Sequence, residues 1–239
     1  MTNISENIKQ QRYLRKLTQE ELAALSGVAL PTIKKVESGK TGVRSSTIEA
    51  IAAALAVDMA TLLLPARRLH TIHFRTCRNM RSKEGIVAEI INKLDCYNAL
   101  EKSTGQLLNP LYKQAFDLES PKHTAAMCRQ LAGMDDINPV ADITLALTAL
   151  GVKAFPICIN TDKFFSLSVG EIDGGPAIIV NASPLVSYEQ GAFSAIHELG
   201  HLILHNKQER SLTDDIIWAE EDEADSFASH FLLPERGLQ

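Results

Sequence analysis

The pentad His197-Glu198-Leu199-Gly200-His201 constrains this chain more than any other feature. It lies inside the apolar run from Phe193 to His205, which has helical periodicity. On a helix, residues four apart share one face, so His197 and His201 can reach one metal ion. Glu198 then sits beside that ion, placed to take a proton from water. His, Glu and His in this spacing point to a zinc hydrolase. The apolar flanks strengthen the reading, because burying these side chains without a purpose costs several kcal/mol, roughly 2–7 per unpaired polar group.

A catalytic zinc takes three protein ligands and keeps one position open. The third donor is expected from the acidic segment Glu220–His230, which also has helical periodicity. Glu223 is the first choice and Glu220 the alternative. Asp225 is a candidate acceptor for the far nitrogen of a ligand histidine. His205 lies two turns from His197, roughly 12 Å of rise, too far to share the ion. It is expected to be a helix-end residue with a hydrogen-bonding role, and His230 a structural one. Zn²⁺ suits the donors best, and Mn²⁺ or Fe²⁺ also suits two histidines and a carboxylate. Tyr188 is a candidate donor to a developing oxyanion, and Ala177–Asn181 a candidate strand for pairing with an extended peptide.

The chain has 239 residues and a net charge of −5. That total argues against a nucleic-acid binder, but its distribution does not. Residues 1–68 hold ten Lys or Arg against six acids, net +4, which leaves −9 for the rest. A basic head on an acidic body suits a DNA-binding module joined to something else. No signal peptide is expected, since no apolar stretch follows a basic start, and no apolar run is long enough to span a bilayer. Cys77, Cys96, Cys128 and Cys158 form no C-x-x-C and read as reduced thiols of a cytoplasmic protein.

The head reads as five short helices. Thr18 and Glu21 form a capping box and Gly27 ends that helix. Pro31 suits the first turn of the next, and Gly39 closes it. Ser45 or Ser46 is expected to cap the fourth, and Asp58 begins the fifth. Thr18–Val28 and Leu30–Glu37 then form a helix-turn-helix, whose second helix reads base edges. Ile33 and Val36 face the core, leaving Leu30, Thr32, Lys34 and Lys35 outward. Gln19, Lys40 and Arg44 suit phosphate contacts. The expected partner is a double-stranded DNA operator, bound as a homodimer.

Residues 67–120 read as a helical linker region with one long helix at 84–103. Two further helices are expected over 121–134 and 139–150. The period then changes to that of strands at 154–160, 164–170 and 177–181, read as a small, mostly antiparallel three-stranded sheet. Ser187 with Gln190 caps the pentad helix, and a last helix runs over 218–233. The fold class is α+β: an all-α head, residues 1–66, and a mostly helical second domain, residues 121–239.

Residues 4–64 closely resemble the XRE, or Cro/lambda-repressor-like, helix-turn-helix domain. The matching text is Leu17-Thr-Gln-Glu-Glu-Leu-Ala, Ser26-Gly-Val, Ile33-x-x-Val-Glu-x-Gly-Lys40 and the Ile48–Val57 stretch. Ala29 stands where family members often have a capping Ser. Residues from about 121 onward resemble the ImmA/IrrE family of gluzincin-like zinc metallopeptidases. The motifs that carry this are Gly175–Asn181, Phe193–His205 and Glu223–Pro234. The resemblance implies His197, His201 and Glu223 as metal ligands and Glu198 as the catalytic base. It also implies a regulator that cleaves a repressor protein, a partner or itself, to control stress-response or mobile-element genes. The alternative is a catalytically silent transcription factor that senses metal or a small ligand. Similar proteins run on for several helices past the Leu-Leu-Pro, so this domain reads as C-terminally short.

Overall fold

The computed structural model describes residues 3–40, 42–74, 83–113, 120–205 and 218–238. The chain divides into two compact units, residues 1–68 with 81–93 and residues 69–80 with 94–239.

The first unit contains α1 (Asn3–Leu14), α2 (Gln19–Ser26), α3 (Leu30–Glu37), α4 (Ser45–Ala54) and α5 (Met59–Leu63). The Thr18 hydroxyl accepts from the backbone of Glu21, whose carboxylate accepts in return from the Thr18 backbone. Gly27 follows with φ of 68°, a left-handed conformation that costs glycine little. Asp58 caps α5. The fourth cap differs from expectation: Arg44 occupies it, with no side-chain cap bond, and Ser45 is already the first helical residue.

Ile8, Leu22, Ile33, Val36, Ile51, Leu55 and Leu62 form the core of this unit, one or two from each helix. The Asn7 amide ties α1 to the end of α5 through the carbonyls of Leu62 and Leu64. Arg12 and Glu37, both buried, join α1 to α3 by two charge-assisted hydrogen bonds of 2.6 and 2.8 Å.

The second unit holds β1 (Ile72–Phe74), the second half of α6 (Lys83–Thr104), α7 (Pro121–Leu131), α8 (Ile143–Ala149), β2 (Lys153–Ile157), β3 (Ser166–Val169), β4 (Ala177–Asn181), α9 (Tyr188–Leu204) and α10 (Trp218–Leu232). The sheet has four strands in the order β1-β3-β4-β2, not three. Residues 72–74, expected in a helical linker, form its fourth strand and pair antiparallel with β3. The pairing of β2 with β4 is parallel. The chain reverses between β2 and β3 and again between β3 and β4, so β2 and β4 run the same way. Placed side by side, they can only pair in parallel.

Asp173 anchors the approach to β1, accepting from the backbone of His70 and Thr71 and from the Thr71 hydroxyl. The core of this unit lies between sheet and helices, with Leu147, Leu150, Ile178, Ile196, Leu199, Phe227 and Phe231 fully or almost fully buried. Cys128 belongs to it, and burial pushes its thiol up to about 12. Cys96 and Cys158 are exposed free thiols, and Cys77 lies outside the described residues. Among the described residues no helix is long and apolar enough to cross a membrane.

Candidate metal centre and DNA-reading face

The Ser187 capping box starts α9, its hydroxyl accepting from the Gln190 backbone. Ten residues later the helix presents His197 and His201, one turn apart. Their Nε2 atoms lie 2.9 Å from each other. Opposite them stands Glu221 of α10, its Oε2 3.3 Å from His197 Nε2 and its Oε1 3.3 Å from His201 Nε2. Contact with the two imidazoles holds the Glu221 carboxyl far below the usual carboxylate range.

The edge of a tetrahedron with ligands about 2.0–2.1 Å from its centre is about 3.3 Å. The spacing of the three residues therefore fits a small divalent cation. Among the described residues they are the one group of donors that converges in this way. His197 is fully buried and His201 nearly so.

The expected third donor, Glu223, is elsewhere: its carboxylate takes a hydrogen bond of 2.9 Å from His205 Nε2. The helical period explains the correction. Residues two apart point about 200° apart around a helix, so Glu221 and Glu223 cannot face one point. The buried stripe of α10 runs through Ala224, Phe227, Ala228 and Phe231. Glu221 and Asp225 flank that stripe on one side and Glu223 on the other. Extending the stripe backward by one turn narrows the choice to Glu220 and Glu221, four and three residues before Ala224. Glu220, the alternative, is not among the converging donors.

Asp225 stands where a second carboxylate was expected, 2.6 Å from His197 Nδ1. It fixes the tautomer: Nδ1 carries the proton and Nε2 keeps its lone pair. Asp225 thus meets His197, Glu221 meets His197 and His201, and Glu223 meets His205.

Gly200 makes this approach of helices possible. A Cβ there would lie 3.2 Å from Ala224 Cα and 3.2 Å from Phe227 Cδ1. Gly200 against Ala224 thus brings α10 within reach of the imidazoles.

Glu198 is fully buried on the sheet side of α9. Ser168 of β3 donates to its Oε2 at 2.6 Å, a length typical of a hydroxyl on an ionised carboxylate. One rung along, Ser166 and Ser194 share a second buried hydrogen bond. Two residues on a strand cover about 6.6–6.8 Å and four on a helix about 6 Å, so the two ladders stay in step. Nothing in the period of β3 singles out Ser168; the Ser-x-Ser spacing opposite Ser194 and Glu198 was the available signal.

Two other expectations are corrected. The Tyr188 hydroxyl donates to the Ala141 carbonyl at 3.0 Å, a contact outside the imidazole cluster. Ala177–Asn181 is an interior strand with both edges paired, so it has no edge left for a peptide. His230 donates to the Ser226 carbonyl of its own helix, as a structural residue would.

In the first unit, α3 starts after Ala29, which makes no side-chain cap bond, with Pro31 in its first turn. Ile33 and Val36 are buried, while Thr32, Lys34, Lys35 and Lys40 are exposed. Arg44 is exposed as well, and Leu30 is half-buried. Gln19 was expected at a phosphate; its amide donates to Glu37 at 2.9 Å. It extends the Arg12–Glu37 pair and stands half-buried at the start of α2.

Comparison with known proteins gives both units relatives. Residues 8–62 match the family described as Helix-turn-helix. Residues 152–239 match a peptidase family described as IrrE N-terminal-like domain. The chain is 30% identical over 115 residues to the HTH-type transcriptional repressor RghR of Bacillus subtilis, covering 46% of this chain and 82% of that protein. It is 37% identical over 67 residues to the uncharacterized HTH-type transcriptional regulator RghRB of the same organism, covering 28% of this chain and 48% of that one. No solved structure matches the chain. The chain belongs to the helix-turn-helix transcriptional regulators and carries an IrrE-like domain of metallopeptidase type behind its DNA-binding head.

Proposed function

We propose that this chain is a DNA-bound regulator whose second unit is a zinc-dependent endopeptidase. Its substrate is a repressor protein, either a partner or this chain itself, and its cleavage releases stress-response or mobile-element genes. The observation that carries the reading is the convergence of His197, His201 and Glu221 next to a buried Glu198.

In this reading His197, His201 and Glu221 hold the metal. When bound, Zn²⁺ supplies Lewis acidity that acidifies water and polarises a carbonyl. Glu198 accepts the proton of the attacking water and delivers it to the leaving amine. Ser168 holds the Glu198 carboxylate through Oε2, so the base does not swing away when it changes charge. Asp225 keeps His197 in the tautomer that presents Nε2. The head binds an operator as a homodimer, with Thr32, Lys34 and Lys35 on the DNA-facing side of α3 and Lys40 and Arg44 at phosphates.

The test compares the full chain with its Glu198→Gln variant. Each is incubated with Zn²⁺ or Mn²⁺ and lysate of the source cell, and new protein termini are read by mass spectrometry. Cuts made by the wild type alone, concentrated in one regulator or in this chain, are the expected result. Equal termini from both proteins with metal bound would reject the protease. They would leave the second reading, a catalytically silent regulator that senses metal or a small ligand.

A further inference from the structure

His205 and Glu223 are not within reach of the point shared by His197, His201 and Glu221, yet both are tied to it. His201 Nδ1 lies 3.0 Å from His205 Nδ1. His205 Nε2 lies 2.9 Å from a Glu223 carboxylate oxygen. The His205 side chain is 6% exposed although it stands at the very end of α9.

Two imidazole nitrogens facing each other bond only if one carries a proton and the other a lone pair. His201 shares the donor cluster through Nε2, which must keep its lone pair to meet a cation. Its proton is then on Nδ1 and is donated to His205 Nδ1. His205 must in turn carry its proton on Nε2, where Glu223 accepts it. The order of protons is fixed from the carboxylate inward, and every nitrogen in the row has a role. His197 reaches the same state in one step, through Asp225.

We propose that His205 and Glu223 are positioning residues of the metal centre: a carboxylate–imidazole relay that sets the tautomer and ring orientation of His201. This role rests on the metal-centre reading given above. It also accounts for a third acid on α10, since Asp225 and Glu223 back one histidine each from opposite sides of the helix while Glu221 faces both.

The experiment measures Zn²⁺ affinity by chelator competition, and the visible spectrum of the Co²⁺-loaded full chain, for the wild type and four variants. His205→Leu removes the acceptor and is expected to weaken Zn²⁺ binding by about 10–100-fold and to shift the Co²⁺ bands. His205→Asn keeps an acceptor and should recover part of the loss. Glu223→Gln keeps an acceptor oxygen and should cost less than His205→Leu, whereas Glu221→Gln should abolish binding at micromolar metal.

Wild-type affinity and an unchanged Co²⁺ spectrum in His205→Leu would overturn the relay while leaving the metal centre standing. Loss of binding in Glu223→Gln equal to that in Glu221→Gln would make Glu223 a ligand and overturn it too. If the wild type takes up neither metal, the metal centre itself falls and the relay with it. Should His205→Leu fail to fold, His205→Asn and Glu223→Gln decide by the same readouts.

Discussion

Ser168 and Glu198 show how much one hydroxyl can do in a buried site. The carboxylate lies at zero exposure and receives a 2.6 Å hydrogen bond from Ser168. A hydrogen bond to a charged group is worth about 1.5–3 kcal/mol. Ser168→Ala should therefore lower the stability of the second unit by about that amount. It should also slow any cleavage on the order of 10-fold, by analogy with the lower end of outer-shell effects. Zn²⁺ affinity should stay at the wild-type value, because Glu198 is not one of the converging donors. Unfolding curves, metal titration and the rate at which new termini appear separate these effects, and unchanged cleavage would deny Ser168 its role. At this scale the pentad was legible because its chemistry and its spacing coincide in five consecutive residues. Glu221 was harder, since the acidic run of α10 offers five carboxylates within six residues and only their angle around the helix distinguishes them.

At the scale of elements, the crossing of α9 and α10 decides whether the site exists. Gly200 gives the room, with Ala224 backbone 3.2 Å from where a Cβ would be. Gly200→Leu forces side-chain bulk against that backbone and against Phe227. Overpacking of this kind costs about 1–3 kcal/mol. It should push α10 outward and carry Glu221 away from the imidazoles. The expected outcome is a lower melting temperature together with weakened Zn²⁺ binding, and wild-type affinity in a folded variant would show that the helices approach differently. The ends of the helices were readable in advance where a cap is a side chain: Thr18, Asp58 and Ser187 all bond as their sequence context predicts. The Arg44 cap was not readable, because no side-chain hydrogen bond marks it and two serines follow directly.

Across the whole molecule, two units of opposite charge carry two kinds of chemistry. The head is held by the buried Arg12–Glu37 pair, with side chains 7% and 3% exposed. Removing one partner leaves a buried charge uncompensated, so Glu37→Ala should destabilise the head by about 3–5 kcal/mol. Replacing both residues by methionine should cost much less. Thermal unfolding of the single and double variants checks this, and equal losses would deny the pairing its weight. Because Glu37 belongs to α3, the single change should also weaken DNA binding. The exposed Lys34 and Lys35 make a separate prediction. If each meets a phosphate, Lys34→Ala with Lys35→Ala should weaken binding across sequences and reduce the slope of log K against log salt by about 2. An unchanged slope would place both ammonium groups in solvent. The Lys34–Glu20 contact of 3.8 Å between exposed side chains offers little competition.

What the amino-acid order determined alone is local. Helical periods, side-chain caps, the glycine at the end of α2 and the His-Glu-x-x-His face all follow from interactions within a few residues, which the chain carries with it. The basic head and acidic body are equally plain, since charge needs no fold to be counted. Tertiary structure decided the rest. It brought Ile72–Phe74 across about a hundred residues to β3, made β2 and β4 parallel by setting them side by side, and tied the half-buried Gln19 to Glu37. It also brought Glu221, rather than Glu223, to the two imidazoles and set Glu223 against His205. Each of these depends on which faces meet, and a periodic pattern reports that a face is apolar without naming its partner.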